Sequence, residues 1–172
     1  WKEYYIRNSR VYRPEQLFIS GLMRPLEDNK FSHELPSQKK NLIKVLFVSE
    51  QLAAPAEMTP YLDALMKADG ISLYLKFRSY RDDFEDWLKE NHADILKRFS
   101  PGNILKGSMH EAILQCDVTV GTMSAGVLEA LLDLKPLVFF QTNKWGDYFE
   151  LKSFDSPYQF FAEDPQALVD AV

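Results

Sequence analysis

The sequence is poor in the residues that most often declare a chemistry. It holds one cysteine, Cys116, which excludes an internal disulfide and any zinc site built from several thiolates. Its three histidines, His33, His92 and His110, stand far apart, and none has a metal-ligand spacing with another histidine or a carboxylate. His33 and His92 read as solvated, one in a linker and one on a polar helix face. Basic residues are outnumbered, 20 Lys and Arg against 25 Asp and Glu for a formal charge of −5, and no Lys/Arg stripe occurs. That argues against a nucleic-acid surface. No apolar run approaches the length of a membrane span. Internal repeats, low-complexity tracts and a signal-peptide pattern are also missing. The chain begins at Trp1 and stops at Val172 in what reads as mid-helix. It is therefore expected to be a piece of a longer protein.

What is present is an alternation of strand and helix signals. A polar stretch, "LEDNKFSHELPSQKKN", separates an amino-terminal tail from the rest, so the expected division is residues 1–41, a tail or linker with a short strand "EQLFISG", and residues 42–172, a folded domain. "LIKVLFVSE" reads as a buried strand. "TPYLDALMKADG" reads as a helix capped by Thr59, with Pro60 at its first position and Gly70 beyond its end. "ISLYLKFRS" is the next strand, and "RDDFEDWLKENHADILKRF" has the spacing of one amphipathic helix. "NILKG" is a short strand. "SMHEAILQC" opens with a capping box between Ser108 and Glu111. "DVTVGT", "PLVFFQT" and "YQFFA" read as strands, "SAGVLEALLDL" as the helix between the first two, and Asp164-Pro165 as the start of the last helix. Strands apolar on both faces, alternating with helices, predict an α/β fold: a three-layer α/β/α, Rossmann-like parallel sheet.

Such sheets bind ligands where strands hand over to helices at their carboxyl ends. "GTMSAGVLEALLDLKP" is one of these places. Gly121 and Gly126 permit close backbone approach, Thr122 and Ser124 offer hydroxyls, and Glu129 lies one turn into the helix. The arrangement suits a phosphate, with Glu129 accepting from a ribose; equally, Ser124 is a plain helix cap and Glu129 faces water. A nucleophilic serine fits less well, because Thr122 stands where a nucleophile elbow wants glycine and no histidine follows Ser124. Lys76 and Arg78 end a strand and could neutralise a diphosphate, or pair with Asp82, Asp83 or Glu85 on the surface. His110 opens a helix after a strand. Cys116 reads as a small buried hydrophobe.

"CDVTVGTMSAGVLEALLDLKPLVFF" resembles the signature of GT-B fold glycosyltransferases, and the likeness in element order runs over about residues 42–172. Locally it is similar to the bacterial surface-polysaccharide branch: capsular and lipopolysaccharide transferases, teichoic-acid glycerophosphotransferases and UDP-N-acetylglucosamine 2-epimerases. The resemblance implies one half of a GT-B fold, the donor half, binding a nucleotide-sugar or nucleoside diphosphate. A missing amino-terminal domain would supply the glycan acceptor site and the catalytic base. No cofactor, metal, nucleic acid or transmembrane segment is implied, and the location would be cytoplasmic, with peripheral attachment at the inner membrane face left open for the parent. By this resemblance Thr122, Ser124 and Gly126 hold phosphates and Glu129 the ribose. Lys76 and Arg78 take the diphosphate, and His110 lies beside the base. Glu50 and Gln51 rim the cleft, and Lys144, Asp147 and Tyr148 meet the sugar, with Trp145 and Phe149 as packing anchors. Met123, Ala125 and Arg78 depart from the pattern of relatives. Nucleotide-sugar epimerase, glycerophosphotransferase and a non-catalytic binding domain with the same fold stay open as alternatives.

Overall fold

The apolar run after residue 41 forms β1 (Ile43–Val48), and its alternation sends side chains into two separate cores. Val45 and Phe47 enter one hydrophobic cluster, Leu46 and Val48 the other. A strand buried on both faces must be covered by helices on both sides. The computed structural model describes residues 6–7, 13–16, 42–78, 82–147, 150–153 and 155–172. The chain divides into two units, Trp1–Leu35 and Pro36–Val172. In the first, Pro14–Gln16 form a 3-10 turn that includes Glu15, the first residue of the expected strand; Leu17 to Gly21 lie outside the described residues.

The second unit is an α/β sandwich. Its other strands are β2 (Ile71–Lys76), β3 (Val118–Gly121), β4 (Leu137–Phe140) and β5 (Phe161–Ala162), in the order β2-β1-β3-β4-β5, with every pair parallel. Beyond β2, Ile104 bridges Leu75 in parallel, which makes the full order that of a doubly wound sheet. "NILKG" contributes this single bridge rather than a strand: Leu105 N bonds Leu75 O, while the Asn103 side-chain amide, not its backbone, takes Leu73 O. β5 is likewise two residues, not the five of "YQFFA".

Helix α1 (Pro55–Lys67) begins four residues before the sequence signal at Thr59. Pro55 serves as well as Pro60 at the first helical position. Thr59 turns its hydroxyl back to Pro55 O at 2.8 Å, and Pro60 sits inside the helix. Met58, Tyr61, Leu62 and Leu65 face the core, and Gly70 follows with φ +78°. The next amphipathic stretch breaks into α2 (Asp83–Asn91) and α3 (Ala93–Arg98) at His92, whose φ of −141° is not helical. His92 is thus a joint between helices, half-buried beside Trp87, and not a solvated helix-face residue. Helix α4 (Met109–Leu114) carries the expected capping box. Helix α5 is one turn, Ala125–Leu128, continued by a 3-10 turn, Glu129–Leu131. Val127 is buried, whereas Leu131, in the 3-10 turn, is 55 % exposed. Helix α6 (Pro165–Ala171) starts on Asp164, whose carboxylate accepts from Ala167 N at 2.8 Å.

Side chains of α1, α2, α3 and α6 fill one cluster, and those of α4 and α5 fill the other. The chain therefore leaves β1 toward one face and leaves β3 toward the opposite face. The crevice of a doubly wound sheet opens between two such strands.

Candidate functional site

At the carboxyl edge of the sheet, Lys76, Val48 and Gly121 stand in register on adjacent strands. Gly121 is demanded by packing: a Cβ there would lie 2.5 Å from Val127 Cγ2 and 3.2 Å from Val48 O. Lys76 is 5 % exposed, and its ammonium donates to Gly107 O at 2.8 Å. Among the described residues no carboxylate lies within ion-pair distance of it. Burial holds the Lys76 pKa below the usual lysine range, with the charge of Glu111 pulling the other way. Glu111 in turn is held below the usual carboxylate range, first by the Ser108 amide, 2.9 Å from its Oε2, and then by the Ser108 hydroxyl at 3.0 Å.

The turn that covers Lys76 leads into Met109, which touches the start of α5. A Cβ on Gly126 would meet Met109 Cε at 3.0 Å, with Ser124 Oγ at 3.8 Å and Val48 Cγ1 at 4.0 Å. Lys76, Gly107, Met109, Gly126 and Ser124 thus form one continuous patch. Ser124 caps α5 by accepting from Val127 N at 3.4 Å, a long bond that leaves its lone pairs lightly used. Thr122 is fully buried and its Oγ1 has no hydrogen-bond partner. Glu129 is half-buried where α5 passes into the 3-10 turn. His110, next to Met109, is held by Asp133, Nδ1 to Oδ2 2.9 Å.

A second group lies just beyond the ends of β1 and β2. Arg78 Nη1 donates to Gln51 Oε1 at 2.8 Å and stands 3.6 Å from Glu50 Oε1. Beneath it, the buried Asp82 accepts from Arg78 N at 2.6 Å, from Phe84 N and Glu85 N at the start of α2, and from the Ser49 hydroxyl. Neither Asp83 nor Glu85 takes up the arginine. Sequence reasoning missed Ser49 and Asp82 as the joint of this corner. The available signal was an acid directly before a helix, the common place for a cap.

A third group lies in the segment after β4. Asp147 caps the turn Leu151–Ser153, accepting from Leu151 N at 2.8 Å and Lys152 N at 3.0 Å. Lys144 is exposed, 5.9 Å from the Trp145 ring centre, and Trp145 packs against both cores. Tyr148 and Phe149 lie outside the described residues. No protein-family model matches the chain, and no curated protein matches it significantly. No group of His, Cys, Asp and Glu among the described residues could hold a metal ion. Among them, too, no helix is long and apolar enough to cross a membrane.

What this edge offers chemically is cationic and hydroxyl donors, with Lys76 already placed on Gly107 O and Arg78 on Gln51. The buried Lys76 at the end of β2, Arg78 just beyond it, held by Gln51 and Glu50, and the Ser124 hydroxyl after β3 all lie at the carboxyl ends of the strands. An anion of several oxygens is the ligand such an edge can hold.

Proposed function

We propose that residues 42–172 are the donor-nucleotide-binding half of a GT-B type glycosyltransferase of surface-polysaccharide or related glycan synthesis. The observation that carries this reading is the buried Lys76, its ammonium with no carboxylate within ion-pair distance among the described residues, at the carboxyl edge of a doubly wound sheet. A diphosphate beside it would supply an anion in direct contact, where Glu111 acts only from a distance. In the parent enzyme the same ammonium would stabilise a departing nucleoside diphosphate, while the acceptor and the base come from another part of the protein. Ser124 and Gly126 bound the phosphate side, and Glu129 would accept from the ribose.

The test is calorimetric titration of the chain with UDP, CDP, CMP, GDP and ADP. One or more should bind with a Kd between millimolar and tens of micromolar, about 4–6 kcal/mol, as expected of half a cleft. Lys76→Met should weaken the diphosphate by about 1–3 kcal/mol and the parent nucleoside hardly at all. Absence of heat with every nucleotide would remove the reading.

A further inference from the structure

Resting on that reading, we propose that the turn Gly107–Met109 is a flap that a bound diphosphate closes through Lys76. Gly107 holds φ +86° with its carbonyl on the Lys76 ammonium, and a Cβ there would come within 2.5 Å of Glu111 Oε2. The turn is therefore shaped by a glycine to sit on the lysine. An ammonium has three hydrogens, and one is used, on Gly107 O. Burial of a cation with one neutral acceptor in contact is costly, and Glu111 offsets the cost only from a distance, so in the free domain the pair would compete with an arrangement in which Lys76 reaches water and the turn lifts.

Lys76 and Gly121 are separated by two strand spacings, about 10 Å between Cα atoms, a gap that an extended lysine side chain and a diphosphate together can span. A diphosphate seated at the β3–α5 loop accepts the two spare hydrogens. That holds the ammonium in place, and with it the Gly107 carbonyl. Met109, against Gly126, then closes over the ligand. The ligand shifts the equilibrium because it touches Lys76 in one state and not in the other.

Inorganic pyrophosphate is the probe, since it carries the anion without a base. Amide exchange at Ser108 and Met109 is followed by NMR with and without saturating pyrophosphate, in the whole chain and in Lys76→Met. The expected result is exchange slowed about tenfold in the wild type and unchanged in the variant. If Lys76→Met does not fold, Lys76→Arg replaces it, because a planar guanidinium does not reproduce the single bond under Gly107, and the slowing should again be lost. Binding of pyrophosphate with no change in exchange overturns the flap and leaves the nucleotide reading standing. Slowing that persists in either variant overturns the role of Lys76. No binding of pyrophosphate or of any nucleoside diphosphate removes the reading and the flap together.

Discussion

Two threonines on and after β3 bury hydroxyls that bond to nothing: Thr119 is 1 % exposed and Thr122 fully enclosed. An unpaired buried hydroxyl costs free energy, and valine has the same shape without it. Thr119→Val should raise stability by about 1 kcal/mol in urea unfolding, with no effect on nucleotide binding. An unchanged or lowered midpoint would mean that the hydroxyl has found a partner. Thr122→Val should stabilise similarly and, if Thr122 serves a ligand, weaken the nucleotide. Cys116 gives an independent probe. Burial pushes its thiol up to about 11, so a disulfide reagent at neutral pH should react only as fast as the domain opens. Prompt labelling of the native protein would contradict the packing at the head of β3. At this scale the sequence was legible wherever a local pattern has one physical use: the Ser108–Glu111 box, Asp164-Pro165 and the apolar Cys116. Lys76 was legible as a cation at a strand end. Its burial was not, because burial depends on the turn that comes from thirty residues later.

Among the elements, α5 shows how a helical period overstates a helix. Its end is a Schellman turn: Lys135 N bonds Ala130 O at 2.9 Å, Leu134 N bonds Leu131 O at 3.3 Å, and Leu134 holds φ 53°. Glycine is the residue that such a position favours, and Leu134 is 66 % exposed, so little packing compensates. Leu134→Gly should therefore stabilise the domain by about 0.5–1 kcal/mol, read from the denaturant midpoint; destabilisation would mean that Leu134 packs against something. The early start of α1 and the break at His92 escaped the sequence for a related reason. Pro55 and Pro60 send the same signal, and no glycine or proline marks residue 92. Tertiary packing decides both. Tyr61 links α1 to β4 and to the residue after β5: its ring stacks on Phe140 at 4.4 Å, and its hydroxyl donates to Glu163 O at 3.0 Å. Burial first, then the carboxylates of Asp164, Glu163 and Glu57, raise its pKa to about 12. The folded state thus holds the phenolic proton more tightly than the unfolded state does. The stabilisation is complete below about pH 10 and is lost between pH 10 and 12. Tyr61→Phe should lose the Glu163 bond and flatten that part of the profile. Identical alkaline profiles for the two proteins would show that Tyr61 is not protected.

For the whole domain, fold class was the most legible property. Strands apolar on both faces, separated by helices, leave a parallel sheet with two helical layers as the arrangement that buries them. The strand order follows from packing that no single segment records, and with it the crevice between β1 and β3. The same holds for the groups that line the carboxyl edge. Ser124 and Gly126 were readable from the small residues of one loop, whereas Ser49, Asp82 and Gly107 matter through contacts 27 or more residues distant. This carboxyl edge is the proposed site for a nucleoside diphosphate. The most direct measurement is a titration of the isotopically labelled chain with the diphosphates named above, following backbone amide shifts. The predicted result is saturable shifts concentrated at Gly107–Met109 and Ser124–Gly126, reduced for the matching nucleoside and in Lys76→Met. Shifts confined to other surfaces, such as the groove of about 370 Å³ between Leu151 and Asp164, would contradict it, as would no shifts at all.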